Sequence, residues 1–323
     1  MARRGGLSRL APVVIALLCC WAPTKVLAFN WRSEPEWSSL DRYFDRGFAR
    51  SPIWDDGLSE ISRYAGREVR GGVPRDAEWI VLLRREVHRP GVWVATDDVA
   101  APSTIDVLKV DALQTIQAGI AVERRMLSSV FTRRDLVPVR TVFTSQDWMG
   151  QTWKELSRSG GSPIELQYSS YWDGEGRGSR TLEKRADAVV PFDDLVILLR
   201  ALRADAPASF TLDVLPSLVS SRVGDTAVVK ARVETQRGES LKVAGRSWHA
   251  RRTDVSRPGS VDTLWYDDDG AGPLLRWRKP DGTTWSLVET SRLAHWKWEH
   301  PGDSLSSASQ ASRSAAVNPP GPR

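Results

Sequence analysis

The feature that most constrains this chain is its period. From Trp79 to near the C-terminus, apolar and β-branched residues fall in short runs, many of them alternating at every second position. Successive side chains of a strand point to opposite faces, so a period of two marks strands rather than helices. Thr226–Thr235 is the clearest case: Ala227, Val229, Ala231 and Val233 fall on one face, and Lys230, Arg232 and Glu234 on the other. That pattern predicts a strand with one dry and one wet face. Trp79-Ile80-Val81-Leu82-Leu83 is apolar on both faces and predicts a buried strand. Further strands are predicted at 92–94, 105–110, 126–132, 137–144, 164–171, 209–215, 261–266, 274–279 and 283–289, all rich in Val, Ile, Thr and aromatics or leucine. Pro280-Asp281-Gly282 supplies the turn between the last two.

Two segments carry a helical spacing instead. Trp54–Tyr64 places Leu58, Ile61 and Ser62 on one side, and Gly66 and Gly71-Gly72-Val73-Pro74 break it. After Pro191-Phe192, Asp193 or Asp194 is the expected cap of a run in which Leu195, Leu198, Leu199 and Leu202 share a face, closed by Pro207. The expected fold is mainly β, a large curved antiparallel sheet of half-barrel type, with one central helix and a short N-terminal helix. A sheet of roughly ten or more strands must curl or split. The β domain, 78–302, therefore reads as one sheet or as two lobes, about 78–185 and 186–302, after an N-terminal helix-and-loop region at 29–77. Residues 303–323 are mostly Ser, Ala, Pro and Gly, and are expected to form a disordered tail.

The N-terminus reads as an export signal. Arg3, Arg4 and Arg9 come first, a compact apolar run from Leu10 to Trp21 follows, and no acid occurs before Glu34. The run is shorter than the roughly 20 residues a membrane span needs. Val26-Leu27-Ala28 suits a signal peptidase, so cleavage is expected after Ala28 and the periplasm or exterior is the expected compartment. Lipid attachment at Cys19 or Cys20 is the rival, and it wants a small residue where Leu18 and Cys19 stand. Arg3-Arg4 is a poor twin-arginine start because Gly5, Gly6 and Leu7 follow.

Removing residues 1–28 takes away Arg3, Arg4, Arg9 and Lys25 and no acid, so the net charge falls from +5 to +1. Bulk charge then gives no steering toward nucleic acid, and no nucleic-acid partner is expected. Both cysteines leave with the leader, which excludes disulfides, thiol nucleophiles and Cys-based metal sites from the mature chain. No second long apolar run predicts a transmembrane span. Fourteen of the fifteen tryptophans remain. Tryptophan packs cores, and it also lines grooves and wet boundaries.

The motifs point weakly to chemistry. Asp147, in Ser145-Gln146-Asp147-Trp148, suits a general acid or base with Gln146 orienting a ligand, or simply a turn residue that binds backbone amides. Asp267-Asp268-Asp269-Gly270 lacks the alternate spacing and later Glu of a calcium loop and reads as a turn. His88, His249, His295 and His300 form no metal-binding pair, and no metal or cofactor is expected. Gly174, Gly176 and Gly178 precede no helical pattern, so they read as a hairpin loop rather than a phosphate cradle. The pairs Arg124-Arg125, Arg133-Arg134 and Arg251-Arg252 read as solvated strand faces.

Two stretches resemble known families. Ile61-Ser62-Arg63-Tyr64, Arg67-Glu68-Val69-Arg70-Gly71-Gly72, Val107-Leu108-Lys109-Val110, Leu127-Ser128-Ser129-Val130-Phe131 and Ser145-Gln146-Asp147-Trp148-Met149-Gly150 are similar to a family of uncharacterised exported bacterial proteins. Some of its members carry the label septum formation inhibitor. That family has Ser-Gln-Glu-Trp-Cys-Gly where this chain has Asp147 and Met149, so a role resting on its Cys is absent here. Pro191 to Leu287, with Trp265-Tyr266-Asp267-Asp268-Asp269, resembles uncharacterised periplasmic proteins related in fold to lipoprotein carriers. This second resemblance implies a sheet wrapped around a helix, with a concave apolar face.

The expected function is that of an exported, non-enzymatic cell-envelope protein. It binds a hydrophobic or amphipathic ligand, a lipoprotein or an envelope partner on a concave sheet. Gln146, Asp147, Trp148, Trp153 and Trp172 are the candidate ligand-facing residues. The alternatives are an envelope glycan-processing enzyme using Asp147, and a purely structural envelope protein.

Overall fold

The computed structural model describes residues 40–158, 163–182, 189–269, 272–305 and 307. All belong to one compact unit, Ser33–Arg323. The leader expected at 1–28 and most of the tail expected at 303–323 lie outside the described residues.

The period of two becomes sixteen strands among the described residues. These are β1 (Ser59–Arg70), β2 (Val73–Arg89), β3 (Val94–Ala95), β4 (Ile105–Ala118), β5 (Ala121–Thr132), β6 (Pro138–Gln146), β7 (Gln151–Ser157), β8 (Glu165–Ser169) and β9 (Arg177–Thr181). After them come β10 (Val189–Pro191), β11 (Ser209–Leu215), β12 (Val229–Val243), β13 (Arg246–Arg257), β14 (Ser260–Asp267), β15 (Leu274–Arg278) and β16 (Thr284–Leu293). Helix α1 is Gly47–Arg50, and helix α2, Phe192–Leu198, lies between β10 and β11. All strands share one sheet, ordered β10-β11-β12-β13-β14-β15-β16-β1-β2-β4-β5-β6-β7-β8-β9, with β3 on β2. Every neighbouring pair is antiparallel except β10 with β11.

The sheet curls until its ends meet. Its two edges, β9 and β10, are consecutive in the chain, so the short link between them limits how far apart they sit. Phe143, Leu156, Ile164, Leu166 and Leu182 from one end pack in a single cluster with Val189, Leu215, Leu218 and Val223 from the other. Arg158, just past β7, donates to the Val189 carbonyl of β10 at 2.7 Å. On the other side Glu68 of β1 pairs with Arg125 of β5 at 2.9 Å. Three strand spacings, about 14 Å on a flat sheet, separate those strands, and curvature brings their side chains together across the concave face.

The helix expected at Trp54–Tyr64 is not there. Pro52–Asp55 makes one 3-10 turn, and β1 begins at Ser59. The β1–β16 register shifts at Arg63/Tyr64. The extra residue there is Val288 of β16, and β1 itself keeps an unbroken register with β2. Both faces of β1 are covered here, Ile61 by the C-terminal segment and Tyr64 by Trp79, so Ser59, Ile61, Ser62 and Tyr64 are all buried and mimic helical spacing. The short N-terminal helix is instead α1, with Phe48 and Ala49 buried. Gly66 lies within β1, where a Cβ would meet the Trp285 ring at 2.3 Å. At the C-terminal end, Leu305 and Trp298 pack on Ile61, Leu293, Ile80 and Leu82, so the outer face of β1 and β2 is covered there.

Candidate functional site

Helix α2 occupies the concave face. All seven of its residues are buried, which its composition, apolar apart from two aspartates, requires. Neither aspartate is the N-cap; Pro191 is, and it offers no side-chain bond. Both carboxylates reach out of the first turn to other elements instead. Asp194 accepts from the Ser129 hydroxyl of β5 at 2.5 Å and the Thr141 hydroxyl of β6 at 2.7 Å. Burial pushes its carboxyl up to about 7, against the opposing pull of those two hydroxyls. Asp193 accepts from the Ser217 hydroxyl at 2.5 Å and the Leu218 amide at 2.7 Å, and burial raises it too.

The far end of the helix is held as firmly. Tyr266 of β14 donates to the Val196 carbonyl at 2.8 Å, and Arg251 of β13 donates to the Leu199 carbonyl at 2.5 Å. Arg200 forks onto Glu60 of β1 at 2.7 and 3.0 Å. Arg251 and Arg125 therefore do not lie on solvated faces. Adjacent residues of a strand point oppositely, so one member of each pair turns inward and meets the helix or a buried carboxylate. Arg133 is likewise drawn inward, onto the Ala49 carbonyl at 3.0 Å.

Between α2 and strands β2, β4, β5, β6 and β15 lies a cavity of about 40 Å³. That is room for a water or a very small group. Its walls are mostly apolar, with Trp79, Trp277 and Phe143 among them, and its polar atoms come from Gln114, Ser129, Arg125, Asp193 and Lys279. Trp79 and Gln114 face each other across β2 and β4. The indole N–H of the first and the carbonyl of the second are buried without a hydrogen-bond partner. Lys279 Nζ lies 4.5 Å over the Trp277 ring and is pushed down by burial. Arg125 is neutralised by Glu68 and Glu123. Nearby, Lys154 is fully buried, donates to the Arg222 carbonyl at 2.7 Å, and is pushed down to about 8 by burial.

The residues singled out from sequence lie elsewhere. Gln146, Asp147, Trp148 and Trp172 gather at one rim of the sheet, and Trp153 sits half-buried on the face of β7 opposite Thr152 and Lys154. The Asp147 carboxylate accepts from the amides of Met149 and Gly150 at 2.7 and 3.0 Å, the turn role weighed above. Asp267 likewise accepts from the Asp269 amide. The cavity residues Trp79 and Lys279 were visible in sequence only as strand members. A buried-strand Trp and a lysine beside a turn carry no signal that they converge.

The geometry defines a mainly β protein, a curled, mostly antiparallel sheet wrapped around a buried helix. No family model matches the chain, and no curated protein matches it. A solved structure similar to it is the beta-barrel-like protein of domain of unknown function DUF1849 from Brucella abortus, at 8% identity and a TM-score of 0.46, over 73% of this chain and 98% of that one.

Proposed function

We propose that this is an exported, non-enzymatic cell-envelope protein that holds a small amphipathic molecule with an anionic group between α2 and the sheet. The observation that carries this reading is the cavity's chemistry. In a mostly apolar wall, the Trp79 N–H and the Gln114 carbonyl have no partner, and among the described residues Lys279 makes no ion pair, Glu68, Asp262 and Asp193 acting on it only from farther off. A buried polar group left unpaired costs about 1–3 kcal/mol, so such groups ordinarily have an occupant. Lys279 favours an anion, and the aromatic wall favours an apolar remainder. The leader-like N-terminus and the resemblance to exported bacterial families support the envelope assignment. Asp147 gives a glycan-processing enzyme no support, because its carboxylate is bound by its own turn.

The purely structural reading is favoured by one fact, that α2 fills the concave face and leaves only about 40 Å³. Tryptophan-fluorescence titration with short-chain carboxylates and the matching alcohols separates the two. Saturable change with carboxylates, weakened in Lys279→Met, supports the ligand reading. No saturable response to either series overturns it and leaves the structural one.

A further inference from the structure

We infer that the rim built by the β4–β5, β6–β7 and β8–β9 hairpin tips is a contact surface for the headgroup region of a lipid bilayer. The inference does not rest on the cavity. In an antiparallel meander alternate hairpins turn at the same end, and the registers Ala118↔Ala121, Arg124↔Gln146, Gln146↔Gln151 and Trp153↔Ser169 place these three tips side by side. Each tip presents a large apolar side chain to solvent: Ile120 is 85% exposed, Trp148 70%, Met149 65% and Tyr171 59%. The opposite rim exposes Val92, Val94 and Val99 at 89–104 and one half-exposed aromatic, Trp296, past the end of β16.

This exposure is built into the turns. The Asp147 carboxylate pins the β6–β7 turn, the second tip, through the Met149 and Gly150 amides. The Tyr171 ring lies against the Gly150 backbone, where a Cβ would meet it at 2.2 Å, so the second and third tips lock together. Tyr171 meets Trp172 edge to face, and Arg222 stacks over Trp172 at 4.2 Å. Glu175 is tied to Ser170 and accepts from the Val223 amide at 3.1 Å. Two of the rim's carboxylates, Asp147 and Glu175, are thus held by its own backbone. Arg124, Arg177 and Arg222 remain exposed, against Asp173. Arg222 lies 3.9 Å from Glu175, a loose pair.

Trp, Tyr and Met with flanking arginines suit one occupant. Aromatic rings with a polar edge settle at the wet boundary of a bilayer, aliphatic tips reach past it, and arginines meet lipid phosphates. A protein partner would be expected to leave a wider dry core than these separate tips provide.

The test is co-sedimentation of the leaderless chain with phosphatidylcholine vesicles and with phosphatidylcholine–phosphatidylglycerol vesicles. The wild type should bind both, the anionic set more tightly and with loss in salt. Trp148→Ala/Met149→Ala should bind at least about tenfold more weakly, since each loses a buried apolar contact. Val99→Ala on the far rim should bind as wild type. Brominated lipid should quench tryptophan emission less in Trp148→Phe than in wild type. All these side chains are exposed, so unchanged denaturation midpoints are expected. Absence of binding to both vesicle types, including a case where only a protein partner is captured, would overturn the inference. So would wild-type binding by the Trp148/Met149 variant.

Discussion

Asp194→Asn is the sharpest probe of the buried helix. The folded chain holds this carboxyl at about 7, against an ordinary 3.8. The shift of about three units corresponds to about 4 kcal/mol. Its sign follows from proton counting. Between pH of about 4 and 7 the folded chain keeps a proton that the unfolded chain has released, so raising the pH favours unfolding. Asparagine has the same shape and no charge. Its carbonyl can accept from one of the Ser129 and Thr141 hydroxyls and its amide can donate to the other. The variant should therefore gain on wild type by about 4 kcal/mol as the pH rises from about 4 to 8.

Urea unfolding at a series of pH values measures this, with ΔG taken from midpoint and slope. Asp193, raised by burial, and His295, pushed down by burial, also contribute to the pH dependence of wild type. Their contributions largely cancel in the difference between variant and wild type. A difference that stays flat within about 1 kcal/mol would refute the reasoning, and so would wild type gaining on the variant with rising pH.

Three further outcomes follow from the same packing. Gly66→Ala should destabilise the fold by about 1–3 kcal/mol or more, read by urea unfolding, because its Cβ would meet both the buried Trp285 ring and the Thr284 carbonyl. Arg200→Met should cost about 3–5 kcal/mol by the same measurement, since it leaves the Glu60 carboxylate largely buried and unpaired. Burial would raise the Glu86 carboxyl, but His88, Arg84 and Lys109 outweigh it and hold it down at about 2. Wild type should then lose at most about 3 kcal/mol as the pH falls from about 4.5 to 2, and Glu86→Gln should flatten that acid limb.

The strands were legible because alternation is local. Val229, Ala231 and Val233 give away β12 without knowledge of its partners. Helix α2 was legible from its leucine spacing and its flanking prolines. The pairing of β16 with β1 was not, because it joins residues more than two hundred positions apart and leaves no local trace. The Trp54–Tyr64 segment misled because β1 is covered on both faces there, Ile61 by the C-terminal segment and Tyr64 by Trp79, so buried residues fall at a helix-like spacing. Buried charge was also hidden. Arg125 and Arg251 stand in sequence beside arginines that do face solvent, and only the strand phase distinguishes them. Trp148 and Trp172 were singled out together and do lie at one rim, on hairpin tips rather than on the concave face.

The interior polar groups divide once the helix ends are accounted for. A seven-residue helix satisfies few of its own terminal donors and acceptors, and here they are sealed from water. The Tyr266 hydroxyl and the Arg251 guanidinium answer the carbonyls of its last turn, and Arg200 with Glu60 closes that end. Asp193 and Asp194 instead bind the helix's start to the 217–218 segment and to β5 and β6. These groups are explained by seating a helix inside a closed sheet, and changing them should act on stability. Trp79, Gln114 and Lys279 are not used in that way. They touch no helix end, two of them carry unpaired buried atoms, and all three border the same cavity. Substitutions there should separate binding from folding, and substitutions at the helix ends should not.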